Sequence, residues 1–186
     1  MKNFILLFTA ALFVGCASSG VQVTFDDENS NTIREHLQYY VDGDIDSMMS
    51  IIADDAEIYI NSDESVSAGE ARSIHELEHS IFEDISTSWS QEEGGVDIGA
   101  WIESTDYPAG PANKPVSVTQ AWFTLNGTSI KTGEALSTPV HVSYIWNDSG
   151  QVETIYQFFD SVDATAVIEA SSVSYTHLTL PTKRIV

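Results

Sequence analysis

Basic residues are nearly missing from this chain: 7 lysines and arginines stand against 28 aspartates and glutamates, a formal net charge of −21 over 186 residues. A surface of that sign cannot neutralise a phosphate backbone, which excludes nucleic-acid binding. Cysteine occurs once, at Cys16, so neither a disulfide framework nor a multi-cysteine zinc site can form within the chain. Apolar runs are short. Phe4 to Val14 is without charge but falls well below the ~20 residues a helix needs to cross a bilayer. Internal repeats are absent as well. What the chain does hold is 42% hydrophobic and 10% aromatic residues. That is too many for a disordered acidic tail and enough for the core of one domain of roughly 150 residues.

Both ends read as something other than fold. Lys2, the uncharged run Phe4 to Val14 and the small residues Gly15, Cys16, Ala17 and Ser18 have the order of an export signal over residues 1–15. Phe13-Val14-Gly15-Cys16 resembles the lipobox of bacterial lipoproteins, with Phe13 where that family has Leu. The resemblance implies that Cys16 becomes a lipid-modified first residue. The protein is then exported and anchored in the bacterial cell envelope, at the outer membrane or the periplasmic face; without the lipid it is secreted. Each acyl CH₂ buried in a membrane contributes about 0.8 kcal/mol to such an anchor. Residues 16–29, polar and acidic, read as a tether. At the other end, Val173-Ser174-Tyr175-Thr176-His177-Leu178 back-translates to a stretch that resembles the transposon end used as a sequencing adaptor. Residues 173–186 are therefore expected to be adaptor read-through, and residues 164–172 a truncated C-terminal segment. Setting the ends aside leaves Arg34, Arg72, Lys114 and Lys131 against all 28 acids, a net charge of −24. Salt relieves such self-repulsion, with a screening length of about 8 Å at physiological strength and ~3 Å at 1 M, and a marine or halophilic source would supply it.

Between the ends, helical spacing comes first. Ser30 is an N-cap candidate for a helix carrying Ile33, Leu37, Tyr40 and Val41, broken at Gly43. Asp44 caps a second, with Ile45, Met48, Met49 and Ile52 on one face. Asp54-Asp55 should end it, with Ala56 to Ile60 as a short strand. Ser67 caps a third helix whose stripe is Ala71, Ile74, Leu77, Ile81 and Ile85. Strands follow: Ser86 to Glu92 and Val96 to Ser104 joined at Gly94-Gly95, Val116 to Leu125 closed by Asn126-Gly127, then Val140 to Trp146 and Val152 to Phe159 around Asn147-Asp148-Ser149-Gly150. Helices followed by an antiparallel meander predict an α+β domain with helices on one face of a curved sheet.

That order, with Tyr39-Tyr40-Val41-Asp42-Gly43-Asp44-Ile45-Asp46, Ile52-Ala53-Asp54-Asp55-Ala56, Gly150-Gln151-Val152 and Phe158-Phe159-Asp160, resembles the SnoaL-like branch of the NTF2-like superfamily over residues 30–163. The resemblance implies a cone: three N-terminal helices packed on a strongly curved, mostly antiparallel sheet. It further implies a pocket at the open end for a small apolar ligand, no cofactor, and a homodimer. Ketosteroid isomerases share this fold and need a carboxylate base plus an oxyanion hole of Tyr and protonated Asp. Counting from the glycine and aspartate anchors puts Ile60, His36 and Val142 at those three positions, which disfavours their mechanism.

Two constellations carry chemistry. His75-Glu76-Leu77-Glu78-His79 matches H-E-x-x-H, in which histidines four apart share a helix face, bind zinc and leave the first Glu as base. The charged Glu78 and the want of a third ligand count against it, so a solvated helix flank is preferred and no metal is expected. The second is the pocket itself. Tyr40, Ile60, Trp101, Trp122, Tyr144, Tyr156 and Phe158 are its expected lining, and His36 with Asp160 its expected acid–base pair. His141 and Ser143 fall on the strand face opposite Tyr144 and suit a dimer interface. Binding of a small apolar ligand is the function these residues favour. A lyase, isomerase or hydrolase using His36 or Asp160 is the alternative, and a zinc hydrolase through His75 and His79 comes third.

Overall fold

The computed structural model describes residues 21–172; the export signal, Cys16 and the adaptor-like residues 173–186 lie outside them. Strand β1 (Gln22–Thr24) is followed by helix α1 (Glu28–Asp42), so the segment read as a tether is partly fold: β1 pairs antiparallel with a later strand through Gln22↔Asp106 and Thr24↔Ser104. The N-cap of α1 is Asp27, not Ser30. Its carboxylate accepts from the Ser30 amide at 3.0 Å, the Ser30 hydroxyl at 2.7 Å and the Thr24 hydroxyl at 2.6 Å. Burial pushes that carboxyl up, but these hydrogen bonds prevail and hold it down at about 2, as expected for an ion fed by N–H and O–H donors. Ser30 is instead fully buried. Its hydroxyl opens a chain through Ser104 (2.8 Å) and Thr119 (2.7 Å) to the Trp146 indole N–H, which donates to Thr119 at 2.9 Å. Every buried hydroxyl of this chain has a partner, which ties α1 to the sheet at one register.

Gly43, at φ 74°, ends α1 as expected, with the Asp44 amide donating to the Tyr39 carbonyl at 2.9 Å. Asp44 then caps α2 (Ile45–Met49). Strand β2 spans Ile52–Ile60, so Asp54 and Asp55 do not end a helix. A bulge between Ile52 and Glu57 lets both carboxylates face solvent within a strand. After β3 (Ser65–Ser67) comes α3 (Ala68–Ile81), entered through a capping box in which Ser67 and Glu70 bond each other's backbone.

The remaining strands are β4 (Phe82–Ser88), β5 (Trp101–Tyr107), β6 (Val116–Ser129), β7 (Ala135–Trp146) and β8 (Val152–Phe159), with helix α4 (Ser161–Ser172) last. Sheet order is β1-β5-β6-β7-β8-β2-β3, with β4 on β6. All neighbours are antiparallel except β2 and β8. β6 organises the sheet: β5 pairs with its residues 116–122 and β4 with its residues 124–129, end to end along one edge. Gly94-Gly95 is thus no hairpin turn, because the strands before and after it pair with β6 and not with each other. β6 also runs straight through Asn126-Gly127. The Asn126 side chain is claimed by both neighbours, donating to Ser88 Oγ at 3.1 Å and accepting from Ser137 at 2.9 Å. The turn comes later, at Gly133 with φ 70°.

The architecture is the expected α+β arrangement of three N-terminal helices on one face of a curved, mostly antiparallel sheet. Ile33 and Leu37 of α1 pack with Ile58, Ala121, Phe123 and Val142 of the sheet. α4, which falls largely in the stretch read as a truncated segment, covers Phe82 and Leu136 with Val167 and Ile168.

Candidate functional site

Between the helices and the inner sheet face lies a cavity of about 60 Å³, lined on the sheet side by Ile58, Phe123, Val142, Tyr144, Ile155 and Gln157. The helices contribute polar groups to this apolar shell: His36 and Tyr40 from α1, His75 and Glu78 from α3. His36 is 3% exposed. Its Nδ1 lies 2.8 Å from the Met48 carbonyl, and because a carbonyl only accepts, Nδ1 carries the proton and Nε2 a lone pair. Burial lowers the His36 pKa to about 4 against the opposing pull of the Met48 bond, and the nearby His75 lowers it further; the ring is neutral at pH 7. The Tyr144 ring meets it edge-on at 5.5 Å.

Tyr40 stands between two imidazoles, 5.4 Å from His75 and 5.2 Å from His79 and edge-on to both. Its hydroxyl donates to Glu78 Oε2 at 3.1 Å, and His75 Nδ1 lies 2.8 Å from the same oxygen. Burial and the Glu78 charge raise the Tyr40 pKa, keeping it a donor. One oxygen of Glu78 is therefore fixed by groups from two helices. Its other oxygen, the Tyr144 hydroxyl and the Gln157 amide make no hydrogen bond among the described residues. These are the groups left to meet a ligand.

Of the lining predicted from the sequence, Tyr40 and Tyr144 are present together with His36. Ile60 is not; it packs beside the core. Asp160 sits past the end of β8, exposed, its carboxylate accepting from the Val162 amide at 3.0 Å, so no His36–Asp160 pair exists. Trp101, Trp122, Tyr156 and Phe158 are on the outer face of the sheet. There Trp101, Trp122, His141 and Phe158 stand directly opposite one another across four strands. Trp122 stacks on His141 at 4.8 Å, and Tyr156 stacks on Tyr59 at 4.8 Å. The error is one of register: Trp122 and Phe158 pair with His141 and Tyr156 pairs with Ser143, so all three share the face that was correctly set opposite Tyr144.

The zinc-type sequence is also rearranged. His75 and Glu78 turn inward, while Glu76, the base in that reading, faces solvent 3.7 Å from Arg72. Among the described residues no three metal-ligating side chains cluster. The expected apolar stripe holds in part: Ala71 is buried, Ile74, Ile81 and Ile85 are half-buried, the last two against the core, and Leu77 is 55% exposed. Ala71, His75 and Glu78 follow the i, i+4, i+7 spacing of one helix face. That spacing was the signal available for Glu78, which the sequence reading missed because a charged residue was assigned to solvent.

An open cone of helices on a curved sheet, with acid–base side chains in its apolar hollow, is the NTF2-like fold. No protein-family model matches the chain, and no curated protein matches it in sequence. Solved structures do match it. An NTF2-like protein of unknown function from Burkholderia pseudomallei superposes with a TM-score of 0.53 at 12% identity, covering 76% of this chain and 98% of that one. IdmH of Streptomyces antibioticus, provisionally named a polyketide cyclase, gives 0.51 at 17% identity over 77% and 99%. A protein of ketosteroid isomerase-like fold from Catenulispora acidiphila, solved with trimethylamine, gives 0.51 at 6% identity over 74% and 92%. At these identities the likeness is one of fold.

Proposed function

We propose that the cavity binds a small, mostly apolar molecule bearing one oxygen function, and that Glu78 exchanges a proton with it, as a lyase or isomerase would. The observation that carries this reading is the carboxylate itself: one oxygen held by Tyr40 and His75, the other without a hydrogen bond among the described residues, in a mostly apolar hollow. A base so held loses little orientation on reaction. The Tyr144 hydroxyl and Gln157 amide can donate to the substrate oxygen, and neutral His36 offers a lone pair. The steroid-type residues are absent here, since His36 and Val142 line the cavity at two of those positions and neither is the Tyr or Asp required. Binding without turnover is the second reading, favoured by the small and apolar hollow. Mass spectrometry of small molecules carried through purification by wild type and Glu78→Gln separates the two. Different molecules in the two proteins mean catalysis, the same molecule in both means binding, and none in either defeats both. Where turnover exists, Glu78→Gln should lower it about 10²- to 10⁴-fold.

Two further parts of the reading concern where and with what the domain works. We take it to be exported and held at the cell envelope through Cys16; Cys16→Ser should then move it from the membrane to the soluble fraction. We also take the outer sheet face to be covered by a second copy. None of its outward positions between Val118 and Thr128, Ser137 and Ile145, or Thr154 and Phe158 carries Asp, Glu, Lys or Arg, although the chain has 28 acids. Two bodies of such charge can meet only over an uncharged patch. Phe158, 50% exposed, and Tyr156, 37% exposed, would lie in its centre.

A further inference from the structure

Beside the first cavity is a second, also of about 60 Å³, walled by Phe82, Leu136, Thr138, Phe159 and, from α4, Ile168. Tyr40, Glu78, Leu125, Val140 and Gln157 line both. The shared side chains lie between the two, and among them Tyr40 is joined to Glu78 by a hydrogen bond at 3.1 Å. The polar groups of the second chamber are already engaged: Thr138 donates to the Asp160 carbonyl at 3.2 Å, and the Asn126 amide is held by Ser88 and Ser137. Only the shared groups, the free Gln157 amide among them, offer a ligand polarity there. Either chamber alone holds a few waters, too little for a molecule of substantial apolar area.

We infer that the two chambers are one elongated site gated by the Tyr40–Glu78 bond, and that its ligand is a long apolar chain with its oxygen at one end. The head lies among His36, His75 and Tyr144, and the tail passes Tyr40 to lie between Phe82, Leu136 and Ile168. This deepens the proposed function and rests on the first cavity being a ligand site. The gate is weak enough to open. One net hydrogen bond is offset by burying two or three methylenes, each of which tightens binding about fourfold.

Straight-chain 2-alkanones from four to ten carbons, titrated calorimetrically into the full chain, test it. Affinity should climb several-fold per carbon once the first chamber is full. Leu136→Phe, which narrows the second chamber, should leave butanone binding unchanged and weaken the longest ketones tenfold or more; Ile168→Phe reads the same chamber from α4 if the first variant does not fold. Tyr40→Phe, which removes the gating bond, should favour long ketones over butanone by several-fold. Butanone binding with no gain from length, or equal weakening of short and long ketones by Leu136→Phe, overturns the elongated site alone. Failure of every ketone to bind defeats the first cavity as an oxygen-headed ligand site, and the extension with it.

Discussion

The two faces of strands β6, β7 and β8 both carry aromatics and stand in opposite circumstances. Inward stand Phe123, Val142, Tyr144 and Ile155; outward stand Trp122, His141, Tyr156 and Phe158. Apart from Glu153 near the start of β8, neither face carries a charged side chain. The inner one lies under three helices, with Tyr144 at 3% and Val142 at 3% exposure, while the outer has Phe158 at 50%. The outward positions mix those aromatics with Gln120, Thr124, Asn126, Ser137 and Ser143, the polar-out alternation of an antiparallel sheet covered on one side. The second copy proposed above would be the cover of this outer face.

That comparison breaks most sharply under an inserted charge. Val142→Asp puts an unpaired carboxylate under the helices at a cost of several kcal/mol, comparable to the ~5–15 kcal/mol that holds a domain together. The expected result is loss of the cooperative thermal transition. Trp122→Asp, one strand away on the other face, should keep that transition. If both variants unfold alike, the outer face is as integral to the monomer as the inner.

The two histidines sharpen the contrast through pH. Unfolded, His36 binds its proton near 6.5; folded, near 4. Between those values the unfolded chain holds more protons, so stability falls as pH is lowered through that window, by up to about 3 kcal/mol in all. A denaturant series from pH 7 to pH 4 should show the slope, and His36→Leu should flatten it. Outer-face His141, only partly buried, is lowered by burial too; in an NMR titration its ring should begin to protonate before that of His36.

Trp122→Asp should also split the proposed dimer, weakening association by roughly 100-fold, about 2.7 kcal/mol, as a buried like-charge pair at a two-fold interface implies. Sedimentation of wild type and variant reads it directly, and a monomeric wild type at high concentration would end the proposal. The smallest effect belongs to the joint between α1 and the sheet edge. Asp27→Ala removes the N-cap and should cost about 1 kcal/mol by thermal melting. In wild type the Asp27 contribution, complete above its unfolded pKa of 3.8, is lost as pH falls toward about 2.

Much of this was legible residue by residue. Gly43, Asp44, Ser67 and Asn147 to Gly150 punctuate the chain where expected, because caps and tight turns are decided within four residues. Asn126-Gly127 and Gly94-Gly95 misled for the converse reason: a turn dipeptide says nothing about which strand will pair beside it, and here β6 outruns one and separates the other. The site divides in the same way. His36, Tyr40 and Tyr144 do line the cavity, being on faces with unmistakable core neighbours. Glu78 was missed, because its partners Tyr40 and His75 come from two helices and only their meeting holds a half-buried carboxylate in place.

From the order of residues alone came the α+β class, two of the helix N-caps (Asp44 and Ser67), the acidic character and the segregation of each strand into two faces, since all of these follow from local sterics, periodicity and charge. Tertiary structure alone decided which face the helices would cover, and hence that Trp101, Trp122, Tyr156 and Phe158 lie outside while Glu78 lies within. Alternation places side chains relative to one another; only the packing of one element on another excludes water from one side and leaves it on the other.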